Sequence, residues 1–166
     1  LGTLPSKKER DEIESNMIAD DFYRRAEVVR KDLDLHYLVG ITPSMVAFEE
    51  QGYVYWNYFA TYDKRLVLAS TYDLRKFARQ ADRPFEVAVG GLICSMLLVA
   101  VNPRLEYHRD NTGCMFDMNL DRESIVRSIR EARIEERCLN QMIPKYRPVA
   151  TALNEALRTY QGGDHP

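Results

Sequence analysis

The spacing of apolar residues in the first half of the chain predicts one helix followed by several strands. Between Ile18 and Leu33, apolar side chains recur every three or four residues, which predicts a helix with one buried face. Thr42-Pro43 carries a capping hydroxyl followed by proline, so a short helix is expected from here to about Gln51. Short apolar or aromatic runs predict strands at 35–41, 53–60 and 65–70.

The second half of the chain has the pattern of helices joined by one polar loop. The segment from Pro84 to about Val101 is apolar nearly all round, which is typical of a buried central helix. Residues 109–120 are rich in Asp, Asn and Gly and predict a loop. Further helices are expected at about 74–81, 121–130, 134–142 and 148–160. The predicted fold class is therefore α/β (α+β), with a small mixed sheet backed by helices.

Composition narrows the class of protein without identifying its function. The 166 residues favour one globular domain over 17–160, with a polar arm at 1–16 and a tail at 161–166. The formal net charge of −2 gives no electrostatic argument for a nucleic-acid or membrane partner. No apolar run approaches the roughly 18 residues of a membrane span. Three cysteines are too few for a disulfide framework, so we expect a cytoplasmic protein.

One group of residues has the donor types of a metal site. His108 and Cys114 flank the polar loop, and Cys138 lies on a later predicted helix. Imidazole and thiolate are the usual zinc ligands, so these three residues are the candidate metal ligands and one structural zinc is the candidate cofactor. A structural site needs four donors, which leaves water, Gln141 or another chain as the fourth.

Other chemistry in the sequence has simpler structural explanations. Cys94 lies within the apolar helix and is expected in the core. Cys114 and His108 could form a nucleophilic pair, which needs geometry that a sequence does not reveal. Arginines interleaved with glutamates on one predicted helix favour intrahelical ion pairs over nucleic-acid binding; these arginines are Arg127, Arg130, Arg133 and Arg137.

Several segments together resemble the archaemetzincin-type metallopeptidases of the metzincin class. They are the GIT strand at 38–42, the strand pair and arginine-bearing helix at 58–75, the apolar helix from Pro84, and the series His108, 113–117 and Cys138. The last of these is similar to the family's cysteine-rich second zinc site. The resemblance covers about 22–141 and implies a metzincin-like fold.

The same resemblance implies that this chain has lost peptidase activity. The family's active helix carries His-Glu-x-x-His, in which two histidines hold zinc and glutamate activates water. The corresponding helix here contains Glu86 and no histidine, so no catalytic residue is predicted. We expect an inactive metallopeptidase-like domain that binds another protein or regulates it. The alternatives are a zinc hydrolase centred on His108, Cys114 and Asp117, and a nucleic-acid or small-ligand binding module.

Overall fold

The computed structural model describes residues 17–162, whose contacts divide into two compact units. The first contains the described residues up to Tyr72, and the second contains those from Asp73 onward. The predicted arm at 1–16 and residues 163–166 of the predicted tail lie outside the described residues. The single domain expected over 17–160 stays a prediction.

The first unit is built from one helix and two three-stranded sheets. Its elements are β1 (Met17–Ile18), α1 (Ala19–Asp32), β2 (Leu38–Thr42), β3 (Val46–Glu50), β4 (Tyr53–Tyr58), β5 (Ala60–Asp63) and β6 (Leu66–Ser70). One sheet has the order β1-β3-β4, and the other has the order β2-β6-β5. Each sheet contains one parallel and one antiparallel pair, so both are mixed, as predicted.

Apolar burial explains why this unit holds together. All five residues of β6 are buried, because β6 is the central strand of its sheet. Helix α1 packs Ala19 and Phe22 into a cluster with Val46 and Leu68. The described structure is 49% helix and 19% strand, which confirms the α/β class with small sheets backed by helices.

Two predictions for the first unit are wrong. The segment expected to be a helix after Pro43 forms strand β3, because Val46–Glu50 pairs with strands on both sides. The aromatic run expected to form one strand changes sheets at Phe59, so that β4 and β5 belong to different sheets. Local capping signals and a continuous apolar run do not reveal which strand supplies the partner.

The second unit consists of helices around a long irregular segment. Its helices are α2 (Leu74–Gln80), α3 (Phe85–Val101), α4 (Ile125–Glu131), α5 (Glu136–Gln141) and α6 (Arg147–Thr159), with 3₁₀ turns at Arg122–Ser124 and Pro144–Tyr146. Helices α2 and α3 contact each other, and α3 also contacts α4 and α6. Within the irregular segment, His108 forms an isolated β-bridge with Asp117.

Helix α3 forms where the apolar run predicts it, but only part of its surface is buried. Its buried residues include Val87 and Ala88 near the start and Leu98 and Val99 near the end, while most of the remaining side chains are half-buried. No single described helix is long and apolar enough to cross a membrane. The bent pair α2 and α3, at 113°, passes that test by length and composition only.

The two glycines of α3 have different surroundings. A Cβ atom built at Gly90 would lie 2.9 Å from Leu157 Cδ2 of α6, whereas one at Gly91 would meet nothing within 4 Å. The close approach of α3 and α6 therefore occurs at Gly90.

Candidate metal centre

The three ligands predicted from the sequence converge in the second unit, and a fourth donor joins them. Ligand atoms of His108, Cys114, Glu135 and Cys138 all lie within 4.8 Å of one another. Glu135 lies three residues before Cys138, whereas Gln141, which the sequence offered as a fourth donor, lies three residues after it. Gln141 instead accepts a weak hydrogen bond at 3.4 Å from the backbone N–H of Glu106. Glu135, and not Gln141, is therefore the fourth donor of this candidate metal-binding cluster.

Backbone hydrogen bonds fix the loop that carries two of these residues. The N–H of His108 donates to the carbonyl of Phe116 at 3.0 Å, and the carbonyl of His108 accepts from Met118 at 2.8 Å. The N–H of Asp117 returns to the carbonyl of Cys114 at 3.0 Å, which closes a tight turn. These contacts place His108 and Cys114 on adjacent segments.

A second set of contacts joins this loop to the segment that carries Glu135. The N–H of Met115 donates to the carbonyl of Arg133 at 2.8 Å. Gly113 has φ +87°, and a Cβ there would lie 2.5 Å from Glu131 Cγ. Only glycine fits this combination of backbone conformation and close approach. The loop can therefore lie directly against the end of α4 and the residues that follow it.

The two sulfur atoms have the separation that a tetrahedral metal ion requires. Cys114 and Cys138 are 0% and 1% exposed, and their Sγ atoms are 3.8 Å apart. Two thiolates about 2.3 Å from a tetrahedral zinc ion would be about 3.8 Å apart. The backbone N–H of Phe116 also approaches Cys114 Sγ at 3.5 Å, an additional donor to sulfur.

The two thiols interact in a way that favours one thiolate. A hydrogen bond from Cys138 lowers the pKa of Cys114 against the effect of burial, with smaller contributions from the backbone of Phe116 and Glu135 and from His108. The same hydrogen bond, together with burial, raises the pKa of Cys138. Binding of a metal ion by both sulfurs would displace any proton that the pair still shares.

His108 directs one ring nitrogen into the cluster and the other away from it. Nε2 is buried, has no hydrogen-bond partner within the described residues, and lies 3.6 Å from Glu135 Oε2. Nδ1 lies 3.2 Å from the carbonyl of Asp110 and 3.4 Å from Asp117 Oδ1. A proton on Nδ1 would donate to these oxygens and leave the Nε2 lone pair for a metal ion.

Glu135 is held as a carboxylate by neighbouring cations. Its Oε2 accepts a 2.7 Å hydrogen bond from Arg137 Nε, and its Oε1 lies 3.6 Å from Arg133 Nη2. Burial raises the pKa of Glu135, but hydrogen bonds from Arg137 and Thr112 and the positive charge of Arg137 outweigh it, so the pKa is lowered overall. The fourth donor is therefore ionised at neutral pH.

Asp117 stands behind His108 rather than among the four donors. Its buried carboxylate accepts hydrogen bonds from the N–H groups of Gly113 at 2.7 Å and Thr112 at 3.1 Å, and from Ser128 Oγ at 3.2 Å. These contacts fix the carboxylate where it faces His108 Nδ1. Asp117 thus stabilises the loop and orients the imidazole.

The arginines considered for nucleic-acid binding donate hydrogen bonds within the second unit. Arg127 and Arg133 donate to the carbonyls of Asn111 and Thr112 in the loop, at 2.6 and 2.7 Å. Arg130 donates to the carbonyl of Gln80 at 3.0 Å. The side chains of Arg127 and Arg133 therefore support the loop, and that of Arg130 contacts the end of α2.

Helix α3 offers different chemistry. Glu86 is exposed in its first turn and lies at the edge of an apolar groove lined by Cys94, Leu153 and Leu157. Cys94 is half-buried rather than deep in the core, and burial raises its pKa.

Comparisons with known proteins give no further guide to the site, because no protein-family model, curated protein or solved structure matches this chain.

Proposed function

We propose that the second unit is a zinc-stabilised, catalytically inactive metallopeptidase-like domain that serves as a protein-interaction or regulatory module. Its structural zinc is held by His108, Cys114, Glu135 and Cys138. The observation that carries the proposal is the convergence of these four donors within 4.8 Å. Two zinc-binding thiols require a reducing compartment, which supports a cytoplasmic location.

The donor set fits zinc better than the hard divalent cations. Two thiolates and an imidazole are the ligands of zinc and other late transition metals, whereas calcium and magnesium take oxygen ligands. The sulfur separation of 3.8 Å agrees with a tetrahedral site. The unpartnered Nε2 of His108 gives a second, independent reason to infer a ligand, because buried polar atoms are ordinarily paired.

The arrangement favours a structural role for the ion. His108 and Cys114 belong to the irregular segment between α3 and α4, while Glu135 and Cys138 lie at and just within the start of α5. A bound zinc ion would cross-link these two segments. Both sulfurs also belong to a hydrophobic cluster with Leu98, so the site is continuous with the core of the unit.

The absence of a metallopeptidase ligand set in α3 supports the inactive assignment. The sequence contains three histidines, His36, His108 and His165, and none of them lies in α3. Glu86 is exposed at the first turn of that helix, where interaction with the helix dipole explains an acidic residue. The helix therefore has no pair of imidazoles that could hold a catalytic zinc ion.

A zinc hydrolase centred on His108 and Cys114 is the second candidate. The Glu135 side chain is 20% exposed, whereas both sulfurs are buried. If Glu135 acted as a general base instead of a ligand, the fourth zinc position would be open to water, as catalytic sites require. Peptidase turnover that is sensitive to chelators and abolished by Glu135→Gln would favour this candidate over the structural one.

Metal analysis of protein purified without a histidine tag tests the proposal. We expect about one zinc per chain in the wild-type protein and in the control Cys94→Ser. Cys114→Ser and Cys138→Ser should each lose most of the metal, because each removes a buried thiolate. Equal zinc content in all four proteins, or none in the wild type, would contradict the proposal. Unstructured protein substrates should not be cleaved.

A further inference from the structure

Arg137 contacts both halves of the metal centre through two of its guanidinium nitrogens. Nε donates to Glu135 Oε2 at 2.7 Å, and Nη1 donates to Asp110 Oδ2 at 2.8 Å. Nη2 lies 3.1 Å from His108 Nδ1, which cannot accept a hydrogen bond in the tautomer that leaves Nε2 for a metal ion. Asp110 follows His108 by two residues, whereas Glu135 precedes the helix that carries Cys138. The guanidinium thus joins the loop to the segment before α5.

We infer that Arg137 is a positioning residue that holds Glu135 as the fourth zinc ligand and offsets part of the negative charge of the centre. This inference rests on the proposed zinc site. A carboxylate binds zinc less strongly than a thiolate does and belongs to a flexible side chain, so it needs support that a cysteine would not need. Arg137 supplies that support through its 2.7 Å hydrogen bond to Oε2.

The negative charge of the four donors gives a second reason for a cation such as Arg137 beside the site. Two thiolates and one carboxylate carry three negative charges, the imidazole is neutral, and zinc carries two positive charges. The centre therefore keeps one excess negative charge at a partly buried position. The guanidinium of Arg137 offsets part of this charge at hydrogen-bond distance, where a charged pair is strongest, and it also pairs with Asp110. Because a carboxylate oxygen has two lone pairs, Oε2 can accept from Arg137 and still bind the ion.

Arg133 provides a matched control within the same segment. Its side chain is 46% exposed, against 45% for Arg137, and both pair with Glu135. Arg133 lies 3.6 Å from Oε1 and donates its hydrogen bond to the carbonyl of Thr112. A substitution of Arg133 removes one positive charge beside Glu135 but leaves the 2.7 Å hydrogen bond from Arg137 to Glu135 in place.

The test measures zinc affinity by competition with a chromophoric chelator. Arg137→Met should raise the zinc Kd by about 10- to 100-fold, the range for loss of a residue that supports a ligand. Arg133→Met should raise it much less. Arg137→Lys should recover part of the loss, because lysine keeps the charge but not the planar fork.

Two further measurements separate a role in ligand positioning from a general role in folding. In the cobalt-substituted protein, Arg137→Met should alter the visible d–d bands, as replacement of Glu135 by water would, while Arg133→Met should alter them much less. In a double-mutant cycle, Arg137→Met should weaken binding much less once Glu135→Gln is present. Unchanged affinity in Arg137→Met, or additive effects with Glu135→Gln, would overturn the inference. A wild-type protein without zinc affinity would instead contradict the proposed zinc site.

Discussion

Helix α3 and the loop that follows it stabilise the same unit by opposite means. Leu98 and Val99 of α3 share a hydrophobic cluster with Phe116 and with Cys114 and Cys138 of the candidate metal centre. The helix contributes apolar area, which is non-directional and tolerates small changes of shape. The loop contributes directed hydrogen bonds and donor atoms, which depend on exact positions. Substitutions in the loop should therefore lower the free energy of unfolding much more than substitutions of similar size on the half-buried side of the helix.

Removal of zinc should produce the largest effect. Saturation at about 1,000 times the Kd adds about 4 kcal/mol to the free energy of unfolding, because the ion binds only the folded chain. For a chain of this size, that gain corresponds to a rise in Tm of about 8–16 °C. Calorimetry of the metal-free and zinc-loaded protein measures it directly. A Tm that does not depend on zinc would show that the loop does not rely on metal.

Asp117→Asn should be the most damaging single change outside the four donors. The amide would place an NH₂ group against the N–H groups of Thr112 and Gly113 or against His108 Nδ1, leaving buried donors without acceptors. Such an unpaired group costs about 1–3 kcal/mol, and zinc affinity should fall about 10- to 100-fold.

Asp121→Asn is the control for that substitution. Asp121 is exposed and caps the following 3₁₀ turn, a role that asparagine fills equally well. Chemical denaturation with and without zinc compares the two variants. Equal stability of Asp117→Asn and Asp121→Asn would contradict the assigned role of the buried carboxylate.

The two glycines of α3 should respond differently to alanine. Gly91→Ala should stabilise the unit by about 0.5–1 kcal/mol, since alanine favours a helix and nothing lies within 4 Å of the new Cβ. At Gly90 the same gain is opposed by the contact with Leu157, so the net change should be close to zero. Denaturant midpoints measured side by side give the difference. A strongly destabilised Gly91→Ala would show a close neighbour at that position.

Glu86→Gln should have only a small effect on stability and none on zinc content. The residue is exposed, and its favourable interaction with the start of α3 contributes about 0.3–1 kcal/mol at most. Zinc content should be unchanged, in contrast to Glu135→Gln, which removes a proposed ligand. Zinc-dependent proteolysis abolished by Glu86→Gln would contradict the inactive assignment.

Most helices and three of the four cluster residues follow from the sequence, because their signals are local. The apolar run of α3 needs no knowledge of the rest of the fold, and His108, Cys114 and Cys138 stand out by residue type. Glu135 does not stand out, since glutamate is common on surfaces. A search for Glu-x-x-Cys as well as Cys-x-x-Cys would have found it. Strand β3 was missed because its pairing depends on distant segments, which outweighed the Thr42-Pro43 signal.

X-ray absorption at the zinc K-edge tests the central claim most directly. For protein loaded with one equivalent of zinc, we expect two sulfur ligands at about 2.3 Å and two nitrogen or oxygen ligands at about 2.0–2.2 Å. Cys114→Ser, if it still binds the ion, should lose one sulfur ligand from this spectrum. A zinc environment with no sulfur ligand, in protein that folds normally, would contradict the assignment of the ion to His108, Cys114, Glu135 and Cys138.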